Sequence, residues 1–333
     1  MTIVDIAKES GYSVTTVSRV LNNRQDVSPA AKEKIMEIVN AHGFVPNGNA
    51  RHLKQTSSKT ILVLVKGTSN MLFANIIEEI QQLISETDYS VKISYLDELE
   101  NEVKQAVRMC RERKPIGVLF LGGNQTSFEE DFVQVNVPCV LVTNSATESD
   151  YTNLSSVATN DMKAAECAVD FLFENGHEGI AEIGGDLEIS QTSFQRHKGL
   201  LNSFQKHGRE FTDDYYERAR FSFDSAYRAM ECLLERKLPI TAVFTQSDVM
   251  AIGAIRAVRD RGLNVPEDIS IIGFDGTPLA EYYNPKIVTI RQEYKEMANR
   301  SVEILFNMID LNRQGTHEYI DFTLTEGESV KKI

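Results

Sequence analysis

A chain of 333 residues, 42% of them hydrophobic, is too long for one ordinary core and predicts two or three packed domains. It has no apolar run of the roughly eighteen residues a membrane span needs, no leader-like start, no CxxC spacing among Cys110, Cys139, Cys167 and Cys232 and no clustered histidines; these features exclude a spanning protein, a disulfide framework and a metal site, and a cytoplasmic location is expected. The net charge of −13 argues against nucleic acid as a partner of the whole chain, but residues 1–58 carry seven Lys and Arg against five Asp and Glu, so the acidity belongs to the remainder.

The first 42 residues read as three short helices. Thr2 is a good N-cap for a helix with Ile3, Ile6 and Ala7 on its apolar side, ending at Gly11. Gly11-Tyr12-Ser13 makes a tight turn, and Ser13 caps a second helix, VTTVSRVLNN. The spacing of Val14, Val17 and Leu21 predicts that these face inward, leaving Thr15, Thr16, Ser18 and Arg19 outward. Hydroxyls beside an arginine on a short exposed helix suit a DNA major groove, where Arg bonds two acceptors of guanine and Ser or Thr accepts several partners. A third helix runs from Pro29 to His42, is closed by Gly43, and braces the pair. A three-helix bundle with a polar exterior and no DNA role has the same pattern; the short helices, the glycine turn and the N-terminal position favour the DNA reading.

The composition changes at GFVPNGNARHLKQTSSK, a connection. From Thr60, β-branched runs alternate with amphipathic stretches: ILVLV, VKISYL, IGVLFLGG, PCVLVTN, SVATN, IAEIGG, YYERARF, TAVFTQSD and ISIIGFD are the predicted strands, with helices of ten or more residues between most of them. That alternation predicts parallel sheets covered on both faces, a doubly wound α/β body large enough for two lobes.

In open α/β sheets ligands bind beyond the carboxyl ends of the strands. There stand Lys66 to Asn70 followed by Phe73, then Asp161, Gln195-Arg196, Asp248 and Asp275. Carboxylates accept from paired hydroxyls, Arg donates to oxygens and an aromatic ring covers an apolar sugar face, so the set predicts a polyol site. Each residue also has a plainer reading: Asp161 and Asp248 as helix caps, Asp275 as a turn residue, Arg196 as a solvated charge, Phe73 and Phe221 as core.

The run TIVDIAKESGYSVTTVSRVLNNRQDVSPAAKEKIMEIVNAHGFVPNGNARHLK resembles the head of the lactose-repressor/galactose-repressor (LacI/GalR) family, and the motifs SxxRxxG (Ser193, Arg196, Gly199), QSDVMAIGA, GFDGTPLAEYY and TIRQ extend the resemblance through the body. It implies a transcriptional regulator, expected to be a repressor of carbohydrate genes: a homodimer on a near-palindromic DNA operator, with a body like periplasmic sugar-binding proteins. Val14, Thr15 and Arg19 would read bases, with Thr2, Ser13, Thr16, Ser18 and Asn22 near phosphates. A hinge helix over Asn49, Ala50, Arg51, His52 and Leu53 would wedge Leu53 into the minor groove, kinking the duplex; Gly48 stands where many members have proline, which leaves that helix less preorganised. Arg196, Asp248 and Asp275 would be the main effector contacts, with Asp161, Phe221 and Phe73 secondary.

The resemblance divides the chain into a helix-turn-helix head (1–46), a hinge and linker (47–58) and an effector domain (59–333), whose first lobe takes about 60–158 and 291–318 and second lobe 159–290 and 319–333. The effector is expected to be a sugar or sugar phosphate, with no cofactor. No GxGxxG, GxxxxGK[ST] or GxSxG motif and no metal-ligand spacing supports an enzyme; His177 and His197 have no evident nucleophile partner. An alternative co-effector is a phosphorylated carrier protein, since RAVRDRGLNVPED partly resembles members that use one, with Arg256, Arg259 and Arg261 as the docking cations. The sequence ends at LTEGESVKKI without a heptad extension, so a dimer rather than a coiled-coil tetramer is expected.

Overall fold

A computed structural model of the chain describes residues 2–21, 27–42, 59–67 and 70–333. These form two compact units, Met1–Ser58 and Lys59–Ile333.

In the first unit α1 (Ile3–Ser10), α2 (Val14–Leu21) and α3 (Pro29–Ala41) pack around Ile6, Ala7, Val17, Val20, Ile35 and Val39. Local chemistry sets the boundaries. Thr2 and Asp5 form a capping box, so two otherwise unpaired amides of the first turn are satisfied reciprocally. Gly11 stops α1 at φ +74°, in the left-handed region that glycine enters without a Cβ penalty. Ser13 Oγ accepts from the Thr16 amide at 3.1 Å and starts α2. One expectation is corrected: Val14 is 42% exposed, and Val17 and Val20 are the buried residues of α2, with Leu21 half-buried. Eight residues make barely two turns, too few to fix the phase of the apolar stripe, and the i, i+3 pair chosen by packing is 17/20 rather than 14/17.

The second unit is built on two six-stranded sheets. The first has the order β11-β5-β4-β3-β1-β2, from β1 (Thr60–Lys66), β2 (Ser90–Leu96), β3 (Gly117–Leu121), β4 (Cys139–Val142), β5 (Leu154–Thr159) and β11 (His317–Ile320). The second has the order β12-β10-β9-β8-β6-β7, from β6 (Ile180–Gly184), β7 (Tyr216–Arg218), β8 (Ala242–Thr245), β9 (Ser270–Asp275), β10 (Val288–Gln292) and β12 (Phe322–Leu324). Every pairing is parallel except β10 with β12. β3, β5, β6 and β9 are buried end to end and β1 at all but its first and last residues, as strands covered on both faces should be.

The covering helices are α4 (Met71–Ser85), α5 (Glu102–Arg113), α6 (Gln125–Asp131), α7 (Asp161–Glu174), α8 (Gln191–Lys206), α9 (Phe223–Glu235), α10 (Asp248–Asp260), α11 (Pro278–Tyr282) and α12 (Tyr294–Leu311). The chain passes between the lobes three times, after Thr159, after Gln292 and after Ile320. α12 exploits the second passage: it follows a strand of the second sheet yet buries Met297, Val302, Leu305 and Met308 against Ile61, Val63 and Leu119 of the first. None of the four cysteines is paired, and only Cys139 is buried.

α7 and α8 cross so closely at Gly199 that a Cβ there would lie 2.2 Å from the Met162 carbonyl oxygen and 2.8 Å from Ala165 Cβ. The glycine of SxxRxxG therefore sets the seat of the helix that carries Ser193 and Arg196. Gly199→Ala is expected to cost about 1–3 kcal/mol of stability through overpacking. Urea unfolding of the variant checks this, and an unchanged midpoint would mean that the two helices part freely.

Candidate functional site

Between the two lobes lies a cavity of about 150 Å³. Its floor on the first lobe is set by the ends of β1 and β3. Lys66 there pairs with the buried Glu102 at 2.5 Å, and the second Glu102 oxygen accepts from the Asn124 amide at 2.6 Å. The ion pair fixes a cation at the wall while leaving it no net charge. Phe73, one turn into α4, also lines the cavity, as does Asn70, whose side chain caps that helix.

The second lobe contributes Arg196, Phe221, Asp275 and Gln292. Arg196 is 4% exposed and held from several sides: Nε donates to Asp161 at 2.8 Å, Nη1 donates to the Gln246 carbonyl and lies 3.9 Å from Asp275, and the guanidinium stacks 3.6 Å from the Phe274 ring centroid. Fixed this way, the fork is preorganised, so a ligand need not immobilise it. Asp275 accepts from the Gln292 amide at 2.8 Å. Its φ of +111° is costly for a residue with a side chain, of order 1–3 kcal/mol, and such conformations persist where the surroundings over-determine them.

Two buried polar atoms of residues lining this cavity have no hydrogen-bond partner, Asp275 Oδ2 and Gln292 Oε1, and Ser193 Oγ, next in the chain to the lining residue Thr192, has none either. An unpaired buried polar group costs about 1–3 kcal/mol, so unpaired polar atoms in one cavity wall are the signature of groups waiting for a ligand. Burial drives the Asp275 carboxyl far above the ordinary carboxylate range, against the pull of Arg196 and with repulsion from Asp248 added. Asp161 is raised by burial too, opposed by Arg196.

Of the six expected effector residues, Phe73, Arg196, Phe221 and Asp275 line the cavity. Asp161 stands one step back, holding Arg196. Asp248 does not line it: this fully buried carboxylate accepts from the Thr277 amide at 2.6 Å, the Thr277 hydroxyl at 2.8 Å and the Thr289 hydroxyl at 2.6 Å, tying α10 to the loop after β9 and to β10. Ser247, not Asp248, caps α10, and Asn160, not Asp161, caps α7. Sequence reasoning missed Glu102, Glu182 and Gln246. Gln246 Nε2 donates to Glu182 at 2.7 Å and its Oε1 accepts from the Gly185 amide, while Glu182 also meets His197 at 2.6 Å. His177 bonds Thr241 and the Lys331 carbonyl, so both histidines have structural partners. Arg256 pairs with Asp260, Arg261 with Glu231 and Glu235, and Arg259 donates to the Asn284 carbonyl, so the three expected docking cations are engaged within the chain.

The lobes are tied across this cavity by polar contacts. Arg220, after β7, meets Asp97 at 2.9 Å and also Glu98, both after β2; Asn144 Nδ2 donates to Thr192 at 3.0 Å, and Gln191 Nε2 to the Ser145 carbonyl at 3.2 Å. All four break if the lobes separate.

In the head, Thr2, Ser13, Val14, Thr15 and Arg19 are exposed and Thr16 and Ser18 half-buried. Asn22, Gly43, Gly48, Asn49, Arg51 and Leu53 lie outside the described residues. Among the described residues no helix is long and apolar enough to cross a membrane, and no group of three or more His, Cys, Asp or Glu side chains could hold a metal ion.

The profile of bacterial regulatory proteins of the lacI family matches residues 2–47, and that of the periplasmic binding protein-like domain matches 169–330. The chain is 38% identical to the HTH-type transcriptional regulator MalR of Clostridium butyricum over all of both sequences. In fold it is similar to a transcriptional regulator CelR–cellobiose complex (TM-score 0.74, 24% identity) and to a Lac repressor dimer bound to operator and the anti-inducer ONPF (TM-score 0.76, 23% identity), covering 99% of this chain and of each of those chains.

Proposed function

The chain belongs to the lacI family of bacterial regulatory proteins, a DNA-binding transcriptional regulator by that membership, and from this premise we propose that it is a homodimeric repressor whose operator affinity follows a sugar held between its lobes. The observation that carries the sugar reading is the set of unpartnered buried polar atoms gathered at one cavity beside two aromatic rings, Phe73 and Phe221. The cellobiose-bound fold relative supports it.

The charge balance narrows the ligand. The two cations in the lining, Lys66 and Arg196, are already paired with Glu102 and Asp161, Glu98 and Asp186 are likewise paired with Arg220 and Arg218, and burial favours the neutral form of Asp275, so the wall offers a phosphate no unpaired cation. An uncharged sugar meets that wall more easily than a sugar phosphate. A thermal-shift panel of neutral sugars and their phosphates tests this, because a ligand of the native state raises the melting temperature. A shift by phosphates alone would overturn it.

For the head, Val14, Thr15 and Arg19 are proposed as base readers, Thr2, Ser13, Thr16, Ser18 and Asn22 as phosphate contacts, and Asn49, Arg51 and Leu53 as the hinge. Leu53→Ala is expected to weaken specific operator binding and spare weak non-specific binding; equal specific affinity in a gel-shift titration would remove the wedge.

For the body, the sugar acts through closure, since it must bind open and closed lobes with different affinity to shift anything. The Arg220 contacts are exposed and so individually weak. Arg220→Ala is expected to weaken sugar binding a few-fold, with the difference fading at high salt, and to leave stability unchanged. Calorimetry at two ionic strengths reads this, and a salt-independent loss would contradict the latch.

A further inference from the structure

The lobes enclose a second, roomier cavity of about 570 Å³. The interlobe bridge divides it from the first: Asn144, Ser190 and Thr192 line the effector cavity, whereas Ser145 and Gln191 line this one. Its charge is one-sided. Glu129, Glu148, Asp150 and Asp161 are in its lining and no Lys, Arg or His is. Asp161 is paired with Arg196, while Glu129 and Glu148 share only the amide of Gln125. Acidic walls with no cation among them hold a negative potential that repels anions and draws cations.

An acidic lining alone does not make a site. Thr159, however, also lines this cavity; it is 2% exposed and its Oγ1 has no hydrogen-bond partner. It is the last residue of β5, at the first passage between the lobes, with Asn160 and Asp161 beyond it in the same wall. Phe128 and Met162 add an apolar surface. The cavity therefore offers carboxylates for a positive charge, a buried hydroxyl for one polar group and apolar contact for a carbon frame.

We propose that this cavity is a second ligand site, selective for a small organic cation in which a protonated amine is carried on a hydroxylated or aliphatic frame. Because its walls come from both lobes, occupancy depends on closure. The wall residue Asp161 also holds Arg196 of the effector cavity, which links the two sites physically. A cation beside Asp161 competes with the guanidinium for the carboxylate.

The test is calorimetry on the full-length protein at low salt with glucosamine and putrescine, which separate the hydroxylated from the aliphatic frame, and with N-acetylglucosamine and glucose 6-phosphate as neutral and anionic probes. At least one amine is expected to bind, and neither control at this site. The exposed pair Glu148→Gln/Asp150→Asn should weaken amine binding by roughly tenfold, or about 1.4 kcal/mol, without disturbing the fold. Thr159→Val should weaken it as well while keeping the melting temperature. No heat with either amine, N-acetylglucosamine binding that the double variant weakens as much as amine binding, or amine binding unchanged in the double variant would overturn the proposal.

Discussion

Arg196→Ala is expected to abolish the sugar response and, at the same time, to lower stability by about 3–5 kcal/mol, the cost of removing one partner from a buried charge cluster. The side chain neutralises Asp161, faces Asp275, covers Phe274 and satisfies the Gln246 carbonyl, so truncation leaves two buried carboxyl groups and a carbonyl without it. Reading only the lost response would confuse a broken pocket with a broken lobe. Arg196→Met with Asp161→Asn separates them: removing both charges should recover much of the stability and none of the response. Denaturant unfolding and calorimetry read the two effects independently. A stable Arg196→Ala variant would show that the guanidinium is more solvated than its contacts imply.

The opposite sign is expected at Asp275. Its folded carboxyl keeps a proton up to about pH 8 because burial penalises the charged form, whereas the unfolded carboxyl ionises near 3.8. A folded pKa above the unfolded one contributes stability that is complete below the lower value and lost as pH rises through the upper one. Asp275→Asn keeps the shape and an acceptor for Gln292 and removes the ionisable group. It is therefore expected to match the parent near pH 4 and to exceed it by about 1–3 kcal/mol at neutral pH, while losing sugar binding. Melting temperatures of both proteins between pH 4 and 8 check this; curves that run parallel would contradict it. A substitution that stabilises the fold and silences the site is what a strained, buried ionisable binding residue should give.

How far these sites were legible depended on the range of the interactions. The alternation of apolar strands and amphipathic helices gave the α/β body directly, and the caps at Thr2 and Ser13 are local sequence chemistry. α12 was not legible as part of that alternation, because it answers a strand of one sheet while packing on the other. Val14 was misplaced because two helical turns do not fix a phase. Within the site, Arg196 and Asp275 stood out at strand and helix ends. Asp248 stood out equally, yet its partners are Thr277 and Thr289, 29 and 41 residues away, and no local pattern announces that a carboxylate is already occupied. Glu182 and Gln246 were hidden for the same reason: each reads as one polar residue in or beside an apolar strand until the sheet brings them together.

The central claim is that reading of DNA by the head is conditional on what the body holds. The most direct measurement is the affinity of the full chain for a selected operator, by fluorescence anisotropy at fixed salt, with and without the sugar that most raises its melting temperature. A coupling of about 1–3 kcal/mol is typical between linked sites, so operator affinity should change by roughly 5- to 150-fold in the wild-type chain and not at all in the stabilised Asp275→Asn variant. Identical operator affinity with the wild-type protein empty and saturated would contradict the account.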